Sequence, residues 1–300
     1  PNTIAIHTDP LEPQGWWYEG GGMYRHAWLI KTNKIHVAPF GVFANPKKIS
    51  ESNWDTVIET TIESEQNVNA KISIRSTIVD NKGKTVGHKT TELLSESRER
   101  NIIKQNISVS KPKLWDLKTP NLYKVHTEVI ADGKVIDNFE TTFGYRTIRF
   151  DANEGFFLNG KSVKFKGVCM HQDHAGVGVA VPDAIAEFRV ARLKEMGSNS
   201  YRCSHNPPAT EILDACDRLG MLVMNENRFY NSAPEYLEQL REQVYRDRNH
   251  PSNIMWSLFN EEPWQGDERG RKMVERMARL VKKRDDSRPT TGAMNGGYNN

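Results

Sequence analysis

Glu261 follows the apolar run Ile254-Met255-Trp256-Ser257-Leu258-Phe259 and is immediately preceded by Asn260. A carboxylate set just beyond a buried strand, against aromatic and apolar walls, has its pKa raised towards the range a general acid needs. Hydrolysis of a glycosidic bond usually takes two carboxylates flanking that bond, one as acid/base and, in the retaining case, one as nucleophile. Glu261 suits the first role, with Asn260 placed to hydrogen-bond a sugar hydroxyl. The plainer reading is that Glu261 and Glu262 open a loop as solvated charges, and pattern alone leaves both readings open.

Other polar residues recur in the same setting, at the C-terminal end of short apolar runs: His171, Asp173 and His174; Arg202 and His205; Asn225, Glu226 and Asn227; Asn295. Histidines 171, 174 and 205 with Glu226 are also conceivable metal ligands. That would make the chain a metal-dependent amidohydrolase, but such enzymes carry His-x-His after the first strand, whereas Gln172 and Asp173 separate the two histidines here. A histidine in such a place is often only a structural hydrogen-bonding group, and His174 fits that reading equally. Trp264, close behind Glu261, either stacks on a sugar ring or belongs to the core; Trp17, Tyr18 and Trp28 are expected in the core.

These residues need elements to carry them. After Phe150 apolar runs alternate with helical patterns, as parallel βα units require. Strands are expected near 163–170, 199–204, 221–224, 254–258 and 290–294, and helices near 183–196, 208–219, 234–248 and 268–284. Ile212, Ala215, Cys216 and Leu219 mark one helix face, closed by Gly220. In a (β/α)8 TIM barrel the strand C-termini form one rim, which gathers the polar residues, and no GxGxxG argues for a doubly wound sheet instead. About five βα units in residues 149–300 fall short of the eight a barrel holds. From 45 to 148 the period is 2, with turns at Asp80-Asn81-Lys82-Gly83 and Ala131-Asp132-Gly133-Lys134, as in an immunoglobulin-like β-sandwich. Residues 1–44, ending in a strand-like Lys34 to Phe43, look like the last strands of a β domain, too few to close a core of their own.

Composition narrows the partners. The 41 basic and 38 acidic residues are interspersed without basic blocks, and no apolar run is long enough to span a bilayer, so neither nucleic acid nor membrane is expected. A noncatalytic carbohydrate-binding protein would suit the β segments but not the polar residues at every strand end. Cys169, Cys203 and Cys216 lack CxxC spacing and read as buried thiols. No signal peptide is visible; the compartment is left unknown, with periplasmic or secreted slightly favoured over cytoplasmic. Homo-oligomerisation is left open.

Three segments follow one another in an order and spacing specific enough to carry a resemblance: Tyr201-Arg202-Cys203-Ser204-His205-Asn206-Pro207-Pro208, Arg246-Asp247-Arg248-Asn249-His250-Pro251-Ser252 and Trp256-Ser257-Leu258-Phe259-Asn260-Glu261. With Gly22-Met23-Tyr24-Arg25, Pro120-Asn121-Leu122-Tyr123, Phe143-Gly144-Tyr145-Arg146 and Gly155-Phe156-Phe157-Leu158-Asn159-Gly160, the chain resembles glycoside hydrolase family 2 over essentially its whole length. The resemblance implies the end of a jelly-roll sugar-binding domain, an immunoglobulin-like domain and the first part of a catalytic TIM barrel. It implies Glu261 as acid/base on barrel strand four and Asn260 on the sugar 2-hydroxyl. His171, Asp173, Arg202, His205 and Glu226 would line the sugar subsite, and a nucleophilic glutamate on strand seven would lie beyond Asn300. The implied substrate is an oligosaccharide or polysaccharide with a terminal β-linked sugar.

The sequence departs from that family at Asn225, where Asp is usual, and at Phe259, where Gly is common. Magnesium ligands known in some β-galactosidases are not evident in Arg228-Phe229-Tyr230-Asn231, so no metal or other cofactor is expected. Glu262-Pro263-Trp264-Gln265 differs from the β-glucuronidase-like continuation, which points to a galactosidase over a β-glucuronidase or β-mannosidase. His171 through Ala180 is similar to polysaccharide-degrading bacterial members.

Overall fold

The computed structural model describes residues 3–8 and 22–295. Alternation of apolar and polar residues, clearest in the second, third, fifth and sixth, marks seven strands: β1 (Ile35–Lys48), β2 (Asn53–Ser64), β3 (Ala70–Val79), β4 (Thr85–Ser95), β5 (Arg100–Ser110), β6 (Tyr123–Ala131) and β7 (Lys134–Phe143). They form two antiparallel sheets, ordered β1-β2-β5 and β4-β3-β6-β7. The inward positions, among them Ile58, Ile62, Ile74, Ile78, Val125 and Val129, make one core between the sheets. Burying such a side chain contributes about 1.5–3 kcal/mol. An exposed pair such as Lys124–Glu140 contributes at most about 1 kcal/mol, so the core sets the stability of this sandwich. Buried Gln105 on β5 accepts from Ser76 Oγ on β3 at 2.7 Å, a polar pin between the two sheets. The β6–β7 hairpin turns on Asp132 and Gly133, both at positive φ, as the sequence there predicts.

Two expectations are corrected here. The stretch expected to end a preceding β domain at residue 44 is instead the first half of β1, which runs on to Lys48 and pairs along its length with β2. The residues described before it, 3–8 and 22–34, form no strand. Trp28, expected in the core, is 79% exposed, with the His26 ring 5.4 Å from its own. Trp17 and Tyr18 lie outside the described residues.

A small antiparallel sheet, β8 (Ile148–Asp151), β9 (Gly155–Leu158) and β10 (Lys161–Ser162), leads into the second unit. That unit is a parallel sheet of five strands in sequence order: β11 (Gly167–Met170), β12 (Ser200–Cys203), β13 (Leu222–Glu226), β14 (Asn253–Asn260) and β15 (Thr290–Ala293). Between them run α1 (Asp183–Glu195), α2 (Thr210–Leu219), α3 (Pro234–Asp247) and α4 (Glu268–Arg284). Gly220 closes α2 in the left-handed conformation, its N–H reaching the Cys216 carbonyl. Trp256, expected to wall Glu261, instead turns towards the helices, packs with Val244, Met277 and Val281, and donates its indole N–H to Asp285 at 2.9 Å.

The two units are docked by side chains that reach main chain. Trp115 Nε1 donates to Asp217 O at 2.8 Å and Arg146 Nη2 to Asn253 O at 2.6 Å. Asn249 accepts from Ala44 N and donates to Val42 O, at 2.9 and 2.8 Å. Lys194 Nζ donates to Leu117 O at 2.9 Å.

Candidate active site

Adjacent parallel strands bring the residues at their C-terminal ends together, whatever their separation in sequence. Glu226, the last residue of β13, has no exposed surface and lies opposite Ser257 of β14 in the ladder. Its Oε2 accepts from Arg202 Nε at 3.1 Å, Arg202 Nη2 at 2.8 Å and Ser257 Oγ at 2.8 Å. Its Oε1 is 2.7 Å from His205 Nδ1. A carboxylate only accepts, so the Nδ1 proton belongs on His205, and the 3.3 Å approach of Arg202 Nη2 to that nitrogen is a contact only. Arg202 Nη2 also donates to Asn260 Oδ1 at 2.5 Å, joining β12, β13 and β14.

His171, just past β11, meets His205 edge to face with ring centroids 5.2 Å apart. Burial, and after it the neighbouring His205, holds the His171 imidazole below its usual pKa. Burial works against the charge of Arg202, but Glu226 outweighs it and the guanidinium pKa lies above its ordinary value. The cluster is therefore a buried anion held by a cation, with the Arg202, His205 and Asn260 side chains left partly accessible around it.

Glu261 follows directly. Its backbone lies at φ 50°, in the left-handed region, and its N–H donates to Ala293 O of β15 at 2.7 Å. The chain thus turns out of the strand at this residue, and the Glu261 side chain is exposed rather than walled by aromatic residues as expected. Of the adjacent pair it is Glu262 that is half-buried, and burial pushes its carboxyl up, with Arg228 opposing. From sequence, Glu262 was taken only as a solvated charge and Ser257 was given no role; a serine inside an otherwise apolar strand was the available signal for the latter.

The remaining candidates separate from this cluster. Asp173 is exposed, and its main-chain carbonyl accepts from Arg189 of α1. The same guanidinium reaches His171 O at 3.0 Å and His174 Nδ1 at 3.2 Å, so His174 is held as a structural group. Trp264 is 45% exposed with the Arg269 guanidinium over its ring at 4.3 Å. Among the described residues, His and carboxylate ligand atoms converge at His26–Asp183–Glu211 and at Asp214–Asp217–His250. Neither group contains His171, His174, His205 or Glu226. Cys203 and Cys216 are buried, but Cys169 is exposed, because it stands beside Arg202 on the site-facing side of β11.

Behind β13 a second network holds the site. Asn225 Nδ2 donates to Asp247 Oδ2 at 2.7 Å, and Gln243 Nε2 donates to Asn225 Oδ1 at 2.9 Å and to Glu226 O at 3.2 Å. Arg246 grips Asp247 with two bonds of 2.6 and 2.8 Å.

Comparison with known proteins gives this geometry a family. Residues 35–146 match Glycosyl hydrolases family 2, and residues 151–297 match the TIM barrel domain of the same family. The chain belongs to glycoside hydrolase family 2. It is 38% identical over 281 residues to β-galactosidase BoGH2A of Bacteroides ovatus, covering 88% of this chain and 33% of that protein. It is 32% identical over 300 residues to a β-glucuronidase of Bacteroides fragilis, covering 92% and 42%. The crystal structure of a family 2 member from Bacteroides cellulosilyticus superposes with a TM-score of 0.89 at 34% identity, covering 93% of this chain and 38% of that one. The chain thus spans between a third and about two fifths of these relatives, and the match to the family 2 barrel domain starts at Asp151, the last residue of β8.

Proposed function

We propose that the protein to which this chain belongs is a retaining β-glycosidase that releases a terminal β-linked sugar, galactose in our reading, from an oligosaccharide or polysaccharide. The observation that carries this reading is the Arg202–His205–Glu226–Asn260 cluster at the ends of three adjacent strands, with Glu261 the next residue. Glu261 acts as acid/base: it protonates the leaving oxygen, then takes a proton from the water that releases the sugar. The nucleophile is a second glutamate from a later barrel strand, without which these 300 residues do not turn over. Arg202, His205, Asn260 and His171 line the sugar subsite, and buried Glu226 fixes the first two. Trp264 and Asp173 stand on the loops around it. Residues ahead of β1 end a preceding sugar-binding β domain.

The test is made on the full-length protein. Glu261→Gln is expected to lower kcat/KM for unactivated disaccharides by about 10²–10⁴-fold and that for an aryl glycoside, whose leaving group needs no proton, much less, while kcat falls for both because release of the sugar loses its base. Glu262→Gln is expected to spare both. Equal losses of kcat/KM on both substrates, or a larger loss from Glu262→Gln, would remove Glu261 from this role. Relatives named for galactose and for glucuronate stand at similar distance, so a panel of nitrophenyl β-galactoside, β-glucuronide and β-mannoside decides the sugar.

A further inference from the structure

The residues ahead of the sandwich grip the rim of the barrel through consecutive side chains. Tyr24 Oη accepts from Gln172 Nε2 at 3.2 Å. Arg25 Nη2 donates to Gln172 Oε1 at 2.6 Å and to Pro207 O at 2.7 Å, and its Nη1 to Pro208 O at 3.3 Å. His26 Nε2 lies 2.8 Å from Asp183 Oδ1 at the start of α1 and 3.7 Å from Glu211 Oε1 on α2. One guanidinium therefore spans two loops, the one after β11 that begins with His171 and the one after β12 that carries His205.

In the second of these loops Pro207 and Pro208 have no N–H to give, and their carbonyls accept from donors outside the loop. Arg25 supplies one to each, and Arg246 adds a second to Pro208 O at 2.9 Å. The loop also borders a cavity of about 350 Å³, lined in part by Arg25, Ser204 and Pro208, so there is room for it to move once released. Its displacement would carry His205 off Glu226 and away from the edge of His171.

We propose that Arg25 is a positioning residue for the sugar subsite: it fixes the Asn206–Pro208 loop and through it the His205 imidazole against Glu226. Its importance for turnover rests on the glycosidase reading, but its hold on His205 does not. Lysine in its place offers a single nitrogen for three acceptors in two loops, so the planar fork is the required feature.

The experiment compares full-length wild type with Arg25→Ala and Arg25→Lys. The first readout is the rate at which diethyl pyrocarbonate modifies each histidine, followed by mass spectrometry. In Arg25→Ala the rate at His205 is expected to rise about fivefold or more as the loop opens locally, while that at His250, buried on the far side of α2, stays unchanged. The second is kinetics on an aryl glycoside. A displaced subsite residue is expected to lower kcat/KM by about tenfold to a hundredfold, carried mainly by KM, with Arg25→Lys closer to alanine than to wild type. An unchanged His205 rate overturns the proposal. So does a rise shared by His250 with a matching fall in Tm, which would show general loosening. A selective rise at His205 in a protein without glycosidase activity upholds the positioning role and counts against the reaction instead.

Discussion

Glu226 has no contact with solvent, and Arg202, His205 and Ser257 together occupy its acceptor sites. Taking away its cation while leaving the carboxylate buried is costly: Arg202→Ala is expected to destabilise the fold by about 3–5 kcal/mol, measured by urea denaturation. A cost under about 1 kcal/mol would mean that water or His205 compensates. His250 tests the sign of a second buried pair. Burial alone would depress its pKa, but the Asp217 carboxylate at 2.6 Å outweighs that and holds it above the ordinary value. A pKa raised on folding contributes stability that is complete below about pH 6.5 and is lost as pH climbs through the folded value. The wild-type Tm is expected to fall over that climb and that of His250→Gln to stay flatter; parallel profiles would dissociate the pair from stability. Glu261 also bears a backbone cost, since its left-handed φ suits glycine or asparagine.

Among the elements, α2 shows most plainly how a local signal becomes a structural constraint. A Cβ at Gly220 would lie 2.6 Å from Leu117 O, and the residue sits at φ 72°, so Gly220→Ala is strained twice. The conformational part alone costs about 1–2 kcal/mol, and the clash presses on the linker between the two units. A lowered urea midpoint is the expected reading, and an unchanged one would show that Leu117 yields freely. Signals of this kind were legible: Gly220 closed the helix, Ile212, Ala215, Cys216 and Leu219 marked its inner face, and period 2 gave the sandwich. The failures came where the deciding partner is distant in sequence. Residues 35–44 looked like the end of an earlier domain because their partner β2 is named by no local pattern. Cys169 and Trp256 were misplaced because an apolar strand does not announce which face meets helices and which meets the site. The strand-end residues could be named from sequence, but not that Glu226 would be a buried holder with Arg202 and His205 presented around it. That depends on register between β12, β13 and β14.

At the scale of the molecule, sandwich and barrel are joined by Arg146, Trp115, Asn249 and Lys194. Burial, and after it Arg288, pushes the Arg146 pKa down to about 9, the mark of a cation held by neutral carbonyls. Arg146→Ala removes its bonds to Pro251 O and Asn253 O and is expected to divide one cooperative thermal transition into two, followed by calorimetry; a single transition would show that the bonds of Trp115, Asn249 and Lys194 suffice. In these bonds a side chain on one unit meets a carbonyl on the other, and every residue type has a carbonyl. The receiving surface can therefore change its side chains widely while docking persists, provided its path in space is kept. Chimaeras that pair this barrel with the sandwich of a distant relative should assemble in the native pose wherever the counterparts of Arg146 and Trp115 are carried over.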